Sequence, residues 1–145
     1  MEITDQIHLE TMIDMGRQAK RAAGVLAHSS DIQRRQALHA MANALESQTP
    51  LILEANHRDI VESQLSGALL DRLLLNAERI QAICAGLVAI AELPDPLNRT
   101  LATWQRPNGL HIERVSVALG VVAVIYEARP NVTADAAALC VKAGN

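Results

Sequence analysis

The sequence predicts an α/β fold: helices first, then a β-hairpin, then a single βα unit of a larger parallel sheet. Three observations predict it. Apolar residues recur at helical spacing through the first three-fifths of the chain. The period then shortens around Pro107-Asn108-Gly109, a turn-forming triplet. Finally Val121 to Tyr126 is apolar on both faces, as in a strand buried inside a parallel sheet.

Each element has its own signal. Residues 3 to about 27 carry Ile3, Ile7, Ala19, Ala22, Ala23 and Leu26 at mixed helical spacings. Ser30 followed by Gln33 is a capping-box pattern. Behind it Leu38, Met41, Ala42 and Leu45 form one apolar face. Thr49-Pro50 reads as a cap residue before a proline at the first helical position, opening a helix through Leu53 and Ala55 towards Val61. Gly67 marks a break before a short helix near Ala68 to Leu74. Asn76 caps another helix, with Ile80, Ile83, Leu87 and Ile90 on its face. Pro94-Asp95-Pro96 stops it.

The stretch "TLATWQRPNGLHIERVSVALG" reads as a hairpin, with strands near 100–106 and 110–118 and one apolar side. Thr133 to Lys142 has the alanine spacing of a helix packed on the sheet, closed by Gly144 in the left-handed conformation. Burying Val121, Val122, Val124 and Ile125 would contribute about 1.5–3 kcal/mol each. A parallel strand needs neighbours, so the chain reads as the first part of a longer protein.

Composition excludes several classes of function. Half of the 145 residues are apolar, with one Trp, one Tyr and no Phe. Stacking platforms for single-stranded nucleic acid are therefore missing. The formal net charge is −3, which leaves no basic footprint for nucleic acid. Lys20-Arg21 and Arg34-Arg35 read as solvated helix faces. The start "MEITDQIHLE" is no signal peptide, and no apolar run is long enough to span a bilayer. Cys84 and Cys140 lie in apolar surroundings and read as reduced residues of a cytoplasmic protein. The five histidines fit no metal-binding pattern, so no metal site is expected.

Candidate chemistry concentrates in the loop "YEARPN", because ligands of open α/β sheets bind beyond the carboxyl ends of the strands. No G-x-G-x-x-G, P-loop or G-x-S-x-G is present. Glu127, Arg129 and Asn131 remain as polar side chains at a strand end. For Asn131 two readings stand at this point, a helix N-cap near Thr133 or a group that acts in chemistry.

The run "LGVVAVIYEARPNVTADAAALCVKAGN" closely resembles the γ-glutamyl phosphate reductase family, glutamate-5-semialdehyde dehydrogenases of the aldehyde dehydrogenase superfamily. "GALLDRLLLNAERI", "LPDPL" and "RPNGLHIERVSVALG" resemble its earlier segments. The resemblance runs from about Leu51 to Asn145, and is weaker but collinear before that. It covers only the N-terminal portion of a much longer family.

The resemblance implies an organisation. Residues 1–99 would be the helical part of a Rossmann-like cofactor domain, 100–118 an oligomerisation arm, and 119–145 the first, incomplete βα unit of the nucleotide-binding sheet. It also implies a reaction of proline biosynthesis, in which NADPH reduces γ-glutamyl phosphate to glutamate 5-semialdehyde and phosphate leaves. Asn131 would donate its amide to the oxyanion of a thiohemiacetal. Tyr126, Glu127 and Ala128 would lie along the nicotinamide side. Arg129 would meet a substrate carboxylate or phosphate, or else form a structural salt bridge.

The family's nucleophilic cysteine lies downstream, and neither Cys84 nor Cys140 matches it, so this chain alone is expected to be inactive. A homo-oligomer in the cytoplasm is expected. The alternatives are another aldehyde or acyl-phosphate dehydrogenase of the superfamily, against which "EARPNVT" speaks, and a non-catalytic helical interaction module.

Overall fold

The computed structural model describes residues 3–127 and 129–145. It contains six helices and one hairpin among those residues: α1 (Ile3–Leu26), α2 (Asp31–Ser47), α3 (Thr49–Glu62), α4 (Gly67–Leu73), α5 (Ala77–Glu92), β1 (Thr100–Gln105), β2 (His111–Val115) and α6 (Pro130–Lys142). The fold is helix-rich, with a two-stranded antiparallel sheet.

The local signals form as their chemistry dictates. At the start of α2 the Ser30 hydroxyl accepts from the Gln33 N–H, and the Gln33 side chain accepts from the Ser30 N–H. This satisfies two orphan donors reciprocally. Asn76 Oδ1 accepts from the Arg79 N–H and opens α5. Thr49 does not cap. Ser47 ends α2 and Thr49 begins α3, with Gln48 alone between them. The last carbonyls of α2 are therefore within reach, and the Thr49 hydroxyl donates to the Leu45 carbonyl instead.

The core is built where α2, α5 and α6 meet. Leu38 and Ala42 of α2, Leu87 and Ala91 of α5 and Ala138 of α6 are buried together. Met41, Leu45, Ile83, Ile90, Ala134 and Val141 pack around them. The small residues let the three helices approach closely, while the leucines fill the space between. Among the described residues α6 thus packs on helices α2 and α5. α1 contributes little to this core: Ala23 is buried, but Leu9, Met12, Ile13 and Met15 are exposed.

Two ion pairs cross the core's edge, and one corrects the expectation of a solvated Arg34-Arg35 face. Arg34 is 2% exposed. Its guanidinium donates to both carboxylate oxygens of Asp95, each at 2.7 Å, and to the Ser29 carbonyl. Asp95 also accepts from the Leu97 N–H, which organises the bend between Pro94 and Pro96. Arg35, by contrast, does lie at the surface, paired with Glu92. Lys142 is equally buried and donates to Asp31 and to the Ala91 carbonyl, tying the end of α6 to the starts and ends of its neighbours. The hydrogen bond from Lys142 is the main cause that holds the Asp31 carboxyl below its ordinary range.

The hairpin pairs Thr103 with Glu113 and Gln105 with His111, with an irregularity between Thr100 and Ala102. Its turn closes through Gly109, whose φ of +85° excludes ordinary side chains, and the Gly109 N–H donates to the Arg106 carbonyl. Leu101, Trp104, Leu110, Val115 and Val117 are exposed.

Val121 to Tyr126 departs from the expected buried strand. Residues 121–127 form neither helix nor strand, and Val121, Val122, Val124, Ile125 and Tyr126 are exposed, Ile125 almost completely. A strand exists only through pairing, and among the described residues nothing pairs with this stretch. The approach to it is nonetheless held, at the end of α6. Gly144 adopts φ +71°, and the Asn145 N–H donates to the Cys140 carbonyl as α6 ends. The Asn145 side-chain carbonyl then accepts from the N–H groups of Leu119 and Gly120, at 2.7 and 3.0 Å.

Candidate functional site

α6 begins earlier than its alanine spacing suggests. Pro130 is its first residue, where a missing N–H costs nothing, and Arg129 is the N-cap without a side-chain capping bond. Asn131 therefore sits inside the first turn and is not the cap. Its amide contacts Asp135 Oδ2 one turn on, at 3.5 Å, and remains exposed. The helical reading of Asn131 as a cap is thereby removed.

Arg129 and Asn131 face a cleft of about 560 Å³ between the start of α6, the short helix α4 and the start of α5. Asp71, Arg72, Leu74, Leu75, Arg79, Ile83 and Asp135 are among its other walls. Arg79 is committed to structure: it donates to Asp71 Oδ1 and to the carbonyls of Asp71 and Leu74. Arg129 and Arg72 make no side-chain hydrogen bond or ion pair among the described residues, so the salt-bridge reading of Arg129 is not realised here.

The other expected site residues are placed differently. Tyr126 is half-exposed, and its hydroxyl lies 2.6 Å from the Thr133 hydroxyl. Glu127 is exposed, and its carbonyl accepts from the Arg129 N–H. Neither lines the cleft. Ala128 lies outside the described residues.

Neither cysteine lines the cleft. Cys84 is half-buried on α5 and its thiol contacts the Ala42 carbonyl. Burial pushes that thiol up, the opposite of what a nucleophile needs. Cys140 is half-buried in α6. Among the described residues no group of three or more His, Cys, Asp or Glu side chains could hold a metal ion. No single helix there is long and apolar enough to cross a membrane.

Sequence reasoning missed Arg72, Arg79 and Asp71 as walls of the cleft. Their signal was present in "GALLDRLLLNAERI", but only the fold brings that stretch against Arg129 and Asn131.

The fold and cleft define a class: a helical unit with a projecting hairpin, whose last helix presents an arginine and an asparagine at its start to an arginine-rich cleft. Comparison with known proteins specifies it. No protein-family model matches the chain. It is 52% identical over 137 residues to the γ-glutamyl phosphate reductase of Paramagnetospirillum magneticum, covering 92% of this chain and 32% of that protein. It is 55% identical over 133 residues to that of Moorella thermoacetica, covering 90% and 32%. The crystal structure of γ-glutamyl phosphate reductase from Thermotoga maritima superposes with a TM-score of 0.90 at 32% identity, covering 92% of this chain and 33% of that one. The Saccharomyces cerevisiae enzyme gives 0.84 at 32% identity, covering 91% and 34%. The chain belongs to the γ-glutamyl phosphate reductase family and matches its N-terminal portion. It spans about a third of the length of the curated relatives it matches.

Proposed function

We propose that this segment contributes one wall of the active site of an NADPH-dependent reductase. The reaction converts γ-glutamyl phosphate to glutamate 5-semialdehyde and phosphate, in the cytoplasm, for proline biosynthesis. The observation that carries the reading is the joint presentation of Arg129 and Asn131 to one cleft at the start of α6. An exposed carboxamide there donates a hydrogen bond to a developing oxyanion without titrating itself. Arg129, whose side chain makes no hydrogen bond or ion pair among the described residues, supplies charge for the leaving phosphate.

The cofactor, when bound, supplies the hydride. Tyr126 and Glu127, with Ala128, are the residues of this chain proposed for its nicotinamide side. Tyr126 suits that position because its hydroxyl is already satisfied by Thr133, while its half-exposed ring is left for packing. The nucleophilic cysteine is assigned to the rest of the protein, because Cys84 and Cys140 stand away from the cleft. In this reading residues 1–99 and 119–145 belong to a Rossmann-like cofactor domain.

Assaying the chain beside a protein of the relatives' full length tests the reading. The long form should reduce γ-glutamyl phosphate with NADPH, and residues 1–145 alone should not. Turnover by the short chain would place the nucleophile within it and sink the assignment.

Residues 100–118 are proposed as a subunit-joining arm. Leu101, Trp104, Leu110, Val115 and Val117 are exposed on that short, marginal hairpin, and burial against a partner would stabilise it. Deleting the arm from the full-length protein should move its sedimentation towards monomer. An unchanged oligomer removes the assignment.

A further inference from the structure

We infer that Arg72 binds the α-carboxylate of the substrate, across the cleft from Asn131. This rests on the reductase reading and adds a specificity residue to it. Seven residues make α4 too short to persist unaided, yet its C-terminal end is held from two sides. Asn56, 5% exposed, donates its amide to the Leu73 carbonyl at 2.8 Å and accepts from the Leu75 N–H at 2.7 Å. Arg79 donates to the carbonyls of Asp71 and Leu74. The backbone on both sides of Arg72 is therefore pinned by side chains from α3 and α5. A buried asparagine satisfied on both its donor and acceptor sides fixes geometry tightly.

The side chain at the centre of this clamp is left free. Arg72 lines the cleft without a hydrogen bond or ion pair among the described residues. Of the cleft's carboxylates, Asp71 is paired with Arg79, and Asp135 has a long 3.5 Å contact with the Asn131 amide. Three guanidiniums against two carboxylates leave the cleft in positive excess. Its volume, about 560 Å³, suits a small amino-acid derivative.

γ-Glutamyl phosphate carries its phosphate at one end and an α-carboxylate, beside an α-ammonium, at the other. Its phosphate is bonded to the carbonyl that reacts, so it must lie beside Asn131, where Arg129 precedes it by two residues. The carboxylate is at the far end of the molecule and needs a cation on another element. Arg72 is that cation, and the guanidinium fork matches a carboxylate in two hydrogen bonds.

The test uses the full-length enzyme with Arg72→Gln and Arg72→Lys, run from semialdehyde, phosphate and NADP⁺. Arg72→Gln should raise KM for the semialdehyde about ten- to hundred-fold, the range for a lost hydrogen bond to a charged group. Its KM for phosphate and its kcat should change little. Arg72→Lys should recover part of the loss, since it restores charge without the fork. An unchanged semialdehyde KM, or a rise confined to phosphate, overturns the assignment. Calorimetric titration with glutarate, a carboxylate probe that undergoes no reaction, decides Arg72 independently of turnover. Weakened glutarate binding in Arg72→Gln supports the role, and equal binding overturns it. An unaltered enzyme without activity would overturn the reductase reading alone.

Discussion

Asn131→Ala, made in the full-length reductase, is expected to lower kcat by roughly 10²–10³, the loss typical of one oxyanion donor. Substrate affinity should fall far less, because in the proposed role the amide would act on charge that develops only in the transition state. The structural background makes this substitution clean. Asn131 occupies the second position of α6, and the residue that caps that helix is Arg129. Among the described residues its side chain makes only the long hydrogen bond to Asp135. Alanine is also a good helix former. A stability effect is therefore small, and a fall in kcat reports chemistry. Steady-state kinetics with a melting curve for each variant separates the two. A variant with near-normal kcat would show that Asn131 only decorates the helix.

Asp95→Ala is expected to cost about 3–5 kcal/mol of stability, the range for stranding one member of a buried ion pair. The Arg34 side chain is 1% exposed and that of Asp95 29%. Removing the carboxylate leaves a buried guanidinium with the Ser29 carbonyl as its main partner. Its Nε already lacks a hydrogen-bond acceptor among the described residues. The bend at Pro94–Pro96 also loses the bond from the Leu97 N–H. Adding Arg34→Met to Asp95→Ala should recover much of the loss, because the stranded charge is then gone. Denaturant unfolding of the four proteins in this cycle measures the coupling. A loss below about 1 kcal/mol for Asp95→Ala would place the pair among ordinary surface salt bridges.

What was legible in the sequence follows the range of each interaction. The Ser30–Gln33 capping box, the Asn76 cap, the turn at Pro107-Asn108-Gly109 and the Gly144 conformation are settled within a few residues, and each formed as read. Thr49 shows where local reading stops: whether it caps depends on how closely α2 precedes α3. The burial of Arg34 and Lys142 was not legible, because their carboxylate partners lie 61 and 111 residues away. Val121 to Tyr126 failed for a different reason. Its apolarity describes surfaces it is suited to meet, and those surfaces are not among the described residues. That Arg129 and Asn131 lie together at the cleft was legible from one contiguous motif; their roles stand as proposed. The place of Arg72 in the cleft was not, since it depends on Asn56 and Arg79 holding a helix that its own sequence cannot hold.

The hydrogen bonds from Leu119 and Gly120 to the Asn145 side chain have a consequence for chain entropy. They join two points 26 and 25 residues apart, and so close a ring around the exposed apolar stretch and α6. Bringing the ends of a free loop of that length together costs about 3 kcal/mol of chain entropy. Here that cost is already met when α6 seats on α2 and α5. Residues 121–127 are therefore an apolar segment tied just before its start, at Leu119 and Gly120, and running within a few residues into the seated helix α6, so neither of its ends is free.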